Sequence, residues 1–193
     1  MLYINQRLYP QLRYDHDTKN GPRPLERASI ASSGCGICST CMVVEHITTE
    51  AFSLEECIQM SYDSGANQNI GTDIHVLGPA VAERFGLTFE KTRDPEKLIA
   101  CLQRGGEAVV NVGGDTDGEI GLFTRSGHYI VAISYADGEF CLMDPGGDES
   151  KFDMEGRAGK VRVNGHFIYC PLDTLLKESI DKREHPFYLF NRK

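Results

Sequence analysis

Cys35 stands in Ser32-Ser33-Gly34-Cys35-Gly36, at the head of an apolar run with helical spacing. That places a thiol at the first turn of a helix, where unpaired N–H groups and a partial positive charge stabilise a thiolate and lower its pKa. The flanking glycines are expected to let a substrate backbone approach the sulfur closely. A thiolate nucleophile needs a proton carrier. His128, in Gly127-His128-Tyr129, sits on the threshold of an apolar strand, and sixteen residues on Asp144 opens Asp144-Pro145-Gly146. A carboxylate beside an imidazole fixes its tautomer and stabilises its charged form. Cysteine, histidine and an orienting carboxylate make a complete nucleophilic set.

The elements that must position this set follow from periodicity and punctuation. Residues 35–48 read as a helix buried on most sides, with Ile37, Cys41 and Val44 on one stripe and Cys38 and Met42 beside it. A shorter helix is expected over 54–62. A third opens at Gly71-Thr72-Asp73 with Thr72 as its cap and ends at Gly86, and Pro79 should kink or split it. Residues 87–91 alternate like a strand, and 95–104 form a helix that starts at proline. Strands are then expected at 108–112, 129–135, 140–143, 161–163, 166–170 and 187–190, with a helix at 172–180. Asp137-Gly138 and Asn164-Gly165 mark two hairpins. Residues 2–5 can form a short strand, and the rest of 1–30, broken by Pro10, Gly21, Pro22 and Pro24, reads as a long arm. Helices first and antiparallel strands later indicate an α+β fold. One domain over 1–193 is expected, its helical part at about 32–105 and its sheet part at about 106–193 together with the arm 1–31.

The pleat constrains the pair. His128 and Asp144 can touch only from the same sheet face, and side chains alternate with period two. A hairpin with a regular two-residue Asp137-Gly138 turn would separate them. The sequence therefore predicts either a three-residue connection at 137–139 or a β-bulge.

Composition bounds the rest. The chain of 193 residues is 40% hydrophobic and 25% charged, ordinary for a globular protein large enough to bury a core without staples. A net charge of −8 argues against nucleic acid or an anionic membrane surface as partner. The first residues lack the apolar core of a signal peptide, and no run approaches the ~18 apolar residues of a membrane span. Seven cysteines, an odd number, are then expected as reduced thiols in the cytoplasm.

Together these motifs resemble a known family. Cys35-Gly36 with Met42 seven positions on, Gly127-His128-Tyr129-Ile130-Val131, and Met143-Asp144-Pro145-Gly146 resemble the free-standing relatives of the double-glycine leader peptidases, within the papain-like superfamily. The Asn5-Gln6 start and Gly71-Thr72 also look like that family, and the resemblance covers roughly residues 3–175. It implies a papain-like fold, with a helical half carrying Cys35 and a sheet half carrying His128 and Asp144. It also implies cleavage of a peptide or small amide substrate through a thioester, with Gln6 helping to hold the oxyanion and no cofactor or metal. Two positions depart from the pattern. In the transporter-linked peptidases the glutamine lies only a few residues before the cysteine, whereas here 29 positions separate them, with Gln11 as a substitute; and Ile37 stands where proline is often found.

Other readings stand beside this one. Acyl transfer shares the first half-reaction, and a binding module could keep the fold with an unreactive Cys35. Cys35, Cys38 and Cys41 have the spacing that begins a metal or iron–sulfur site, but no fourth ligand follows at ferredoxin spacing. The remaining cysteines read as inert packing. His16, His46, His75, His166 and His185 read as structural or surface residues, and Asp115, Asp117 and Glu119 as a solvated turn rather than a calcium loop. Specificity is expected from loops 9–31, 63–72 and 113–126, the arm 9–31 either covering the cleft or reaching a neighbouring subunit. The sequence leaves the oligomeric state open.

Overall fold

The computed structural model describes residues 1–15, 22–68 and 71–193, with six α-helices and nine strands among them. A single turn, α1 (Ile30–Ser33), ends at Gly34, and α2 (Cys35–Thr48) begins on the next residue. Burial of α2 goes well beyond one stripe: Ile37, Cys38, Cys41, Met42, Val43 and Val44 have no exposed surface. A helix apolar on nearly every side belongs in the middle of a fold. Helix α3 (Leu54–Ser64) starts with a capping box, in which Ser53 Oγ accepts from the Glu56 N–H and the Glu56 carboxylate from the Ser53 N–H.

The third long helix, α4 (Ile74–Arg84), is capped by Asp73, whose carboxylate accepts from the His75 N–H; Thr72, the expected cap, is used elsewhere. Thr72 belongs to a two-residue ladder of β1 (Asn67–Gln68) with β2 (Gly71–Thr72), and its hydroxyl meets that of buried Tyr14 at 2.9 Å. Pro79 does not split α4. Leu77 and Val81 are buried, and Gly78 lies so close to Phe89 that a Cβ would fall 2.1 Å from its ring. Packing holds the helix together where local geometry opposes it.

The main sheet is antiparallel throughout. It contains β3 (Leu87–Thr92), β4 (Glu107–Gly113), β5 (Gly127–Ala136), β6 (Glu139–Met143), β7 (Arg162–Asn164), β8 (Phe167–Pro171) and β9 (Phe187–Arg192), in the order β3-β9-β4-β5-β6-β8-β7. Val109, Val131 and Phe190 face the layer of α2, α3 and α4. Their neighbours in the alternation, Val110, Ile130 and Leu189, face α5 (Pro95–Gln103) and α6 (Leu172–Ser179).

The β5–β6 hairpin resolves the parity constraint. Its turn is the two-residue Asp137-Gly138, both with positive φ (51° and 83°), which by itself would set His128 and Asp144 on opposite faces. A register shift between Ala132 and Ser134 inserts one unpaired residue, Ile133, and restores the common face. In the β7–β8 hairpin, Asn164 pairs with Phe167, so the turn residues are Gly165 and His166 rather than the expected Asn164-Gly165.

Residues 2–5 form no strand. They run as a seam between the helical layer and the loop after β6. His46 Nε2 donates to the Leu2 carbonyl (2.6 Å), the Ile4 N–H meets Met42 Sδ (3.4 Å) and the Gln6 N–H donates to the Pro145 carbonyl (2.9 Å). Backbone groups spent on such single contacts have no ladder to join. The described part of the arm packs onto its own chain, with the Tyr14 hydroxyl 2.8 Å from that of Ser61. His16 lies outside the described residues.

Candidate active site

Cys35 is the first residue of α2, so its own N–H and that of Gly36 have no acceptor within the helix. The adjacent glycines serve internal packing rather than substrate access. A Cβ on Gly34 would sit 2.7 Å from the Ile30 carbonyl oxygen, and one on Gly36 would sit 2.7 Å from the Thr72 side chain and 3.2 Å from Tyr129. Glycine here lets α1, β2 and β5 close around the helix start.

His128, the second residue of β5, presents Nε2 to Asp144 Oδ1 at 2.6 Å. Its Nδ1 is thereby left free of Asp144, and the imidazole interacts electrostatically with Cys35, which lines the same two depressions. Asp144 follows directly on β6, and its carboxylate is fully engaged: Oδ1 also accepts from the Gly146 N–H (2.6 Å), and Oδ2 from Lys151 Nζ. The Tyr3 hydroxyl donates to the Asp144 carbonyl (2.9 Å), so the N-terminal seam also holds this corner. Gln6, though 29 positions from Cys35, reaches the same cleft. Its Nε2 donates to the Ala31 carbonyl (3.0 Å), and its Oε1 is buried without a partner. Gln11 is exposed and lies outside the cleft lining.

Two depressions meet at the thiol. One of about 460 Å³ includes Gln6, Ser32, Arg125 and Arg157 in its lining; the other, about 480 Å³, includes Thr72, Asn111, Tyr129 and Arg183. Cys35, Ser126, Gly127 and His128 belong to both. Cys35 and His128 therefore sit on a ridge with open space on either side.

No family model matches the sequence, and no curated protein matches it. Solved structures do resemble it. The peptidase domain of Streptococcus ComA, a bifunctional ABC transporter involved in a quorum-sensing pathway, aligns with a TM-score of 0.54 at 12% identity, over 82% of this chain and 91% of that one. A C39-like peptidase from Bacillus anthracis aligns with a TM-score of 0.55 at 12% identity, over 83% and 89% of the two chains. The fold is papain-like.

Within this papain-like cleft the charges are mutually arranged. Burial pushes the Cys35 thiol up, but the hydrogen bond and charge of His128, with backbone hydrogen bonds from Tyr129 and Gly36, outweigh it and hold the thiol below its ordinary value. Burial would lower the His128 pKa. The Asp144 carboxylate, and then the thiolate, raise it to about 10. Asp144, pushed up by burial, is held well below the usual carboxylate range by His128 and Lys151. The arrangement stabilises a thiolate–imidazolium pair. In contrast, burial raises Cys38, Cys41, Cys101, Cys141 and Cys170.

Lys151 is the residue that sequence reasoning missed. It lies in a short 3-10 turn (Glu149–Asp153), is nine-tenths buried, and donates both to Asp144 and to the Phe123 carbonyl (3.0 Å). A single lysine in the acidic run Asp148-Glu149-Ser150-Lys151 carries no motif, and only the path of the loop brings it to the site. His46 is buried against Glu107 (2.9 Å), and His166 stacks on Tyr3 with ring centroids 3.8 Å apart, both structural placements. Among the described residues, no group of three or more His, Cys, Asp or Glu side chains is arranged to hold a metal ion, and no helix is long and apolar enough to cross a membrane.

Proposed function

We propose that this chain is a thiol hydrolase that cleaves a peptide or small amide substrate through a thioester on Cys35. The observation that carries this reading is the His128–Asp144 pair (2.6 Å) sharing the ridge between two clefts with Cys35, whose thiol His128 holds below its ordinary pKa. The likeness to peptidase domains supports it at the level of fold.

The steps follow from the arrangement. The Cys35 thiolate attacks the carbonyl carbon, and the carbonyl π electrons move onto oxygen. The Cys35 N–H and one Gln6 Nε2 hydrogen stabilise that oxyanion. As the C–N bond breaks, the His128 imidazolium gives its Nδ1 proton to the departing amine, leaving a thioester and neutral imidazole. A water then loses a proton to His128 and attacks the thioester, releasing a carboxylic acid and restoring the ion pair. Asp144 keeps the ring oriented throughout. A reducing cytoplasm suits a chain whose seven cysteines are all free thiols.

The test is the pH dependence of iodoacetamide labelling, resolved by site, in wild type and His128→Ala, alongside cleavage of a mixed peptide library. Cys35 should label well below pH ~8, and the variant should shift its profile up towards the ordinary thiol value of ~8.5. Cys35 labelling no faster than the other six thiols would overturn the reading. Conjugates formed with added amines would redirect it to acyl transfer.

A further inference from the structure

Arg157 does not fit an ordinary account of a buried charge. It is 6% exposed and lines the cleft beside Cys35, and its Nε is buried with no hydrogen-bond partner. Among the described residues its guanidinium makes no side-chain hydrogen bond, ion pair or ring contact, so its terminal nitrogens are the part the cleft can reach. Asp153 and Glu155 on the same loop are exposed and form no ion pair with it, and the other carboxylates around the cleft are committed elsewhere. Asp148 faces Arg7 (3.8 Å) and Ser150 (2.6 Å), Glu149 pairs with His166 (3.0 Å), and Asp144 is held by His128 and Lys151. A guanidinium cannot lose its proton to escape burial, and a buried charge without a partner is costly. The surroundings sharpen the anomaly. In a chain of net charge −8, this cleft gathers Arg7, Arg125, Lys151 and Arg157 against Asp148 alone. The second cleft has Arg183, whose Nε and Nη2 are already bonded to the Val112 and Ser126 carbonyls.

We infer that Arg157 is the anchor of a carboxylate subsite, and that the substrate carries an anionic carboxylate on this side of the reacting bond. The planar fork matches a carboxylate with two parallel hydrogen bonds. Arg125, exposed on the rim, adds attraction at longer range. The carboxylate has two sources, an acidic side chain or the free end of a short chain. This inference rests on Cys35 being the reacting thiol.

The experiment reads alkylation of Cys35 and needs no turnover, so it stands apart from whether the chain hydrolyses peptides. Two matched pairs are used: iodoacetyl-glycine against iodoacetyl-glycinamide, and iodoacetyl-glutamate α-amide against iodoacetyl-glutamine α-amide. In each, the thiolate displaces iodide from the same CH₂ group and only the carboxylate differs. Taking the acid-to-amide rate ratio within one protein cancels any change in the thiolate itself. The wild type should show a ratio of roughly tenfold in at least one pair, and the responding pair names the source of the carboxylate. In Arg157→Met the ratio should fall to about one, and in Arg157→Lys, which keeps the charge without the fork, it should be cut several-fold. Ratios at or below one in both wild-type pairs, or a ratio that survives in Arg157→Met, would overturn the inference. Removing an unpaired buried charge should not unfold the protein, and Arg157→Lys gives the same reading if it does.

Discussion

Cys35 and Cys38 lie one turn apart on the same helix, and the fold treats them oppositely. Cys38 is fully buried and Cys35 half-buried, and burial pushes both thiols up. At Cys35 this is overcome by an imidazole, itself charged by a doubly held carboxylate, and by the backbone N–H groups of Tyr129 on β5 and Gly36 on α2. At Cys38 the neighbouring thiols of Cys41 and Cys35 raise it further, and a single backbone hydrogen bond is too weak to offset them. Helix position and residue type are thus insufficient to lower a thiol's pKa. The charge brought by β5 and by the loop after β6 decides the outcome.

The contrast can be broken outright. Cys35→Ser should lower amide cleavage by at least ~10³-fold, whereas Cys38→Ser should leave cleavage within a few-fold and act mainly on stability. Equal losses in the two variants, measured as kcat/KM on one peptide, would mean that the helix start confers no special reactivity.

A second change sharpens it. Lys151→Met removes a cation that competes with His128 for Asp144 and unties the carboxylate from the Phe123 carbonyl. The expected outcome is a fall in kcat of about tenfold, with the alkaline limb of the pH–rate profile moving up as Asp144 acts on His128 alone. A lysine with a merely structural role would lower activity without moving the limb.

A third test reads stability. With its pKa raised to about 10, His128 contributes stability that is full below its unfolded value of ~6.5 and lost as pH rises through about 10. Asp144, held low, contributes stability that is present above its unfolded value of ~3.9 and lost as pH falls through its folded value. Urea denaturation should therefore show Asp144→Asn less stable than wild type by roughly 3 kcal/mol near pH ~5–6, the gap narrowing towards pH 10 and again below pH ~4. A gap constant with pH would show that the pair is not ionised.

The strongly periodic elements were legible because burial and period agree, as in α2. The bulge at Ile133 was legible as one of two options, since a shared face for His128 and Asp144 demanded either a three-residue connection or a bulge, and the sequence did not choose between them. Capping at Asp73 was not: Thr72 has an equally suitable oxygen, and only the β1–β2 ladder takes it away. The two glycines beside Cys35 were visible, but their reason was not, because it lies in Ile30, Thr72 and Tyr129 closing from distant parts of the chain. Lys151 and Arg157 had no signal at all. Each sits in an irregular loop whose path is set by what it packs on, and a lone basic residue there reads as solvated surface.

The slot occupied by β9 has a consequence for assembly. The final strand lies between β3 and β4, so until residues 187–192 exist, the sheet that carries His128 is split. A chain emerging from the ribosome holds Cys35, His128 and Asp144 before it holds the strand that joins β3 to their sheet, so this edge of the scaffold closes only after all three have been made.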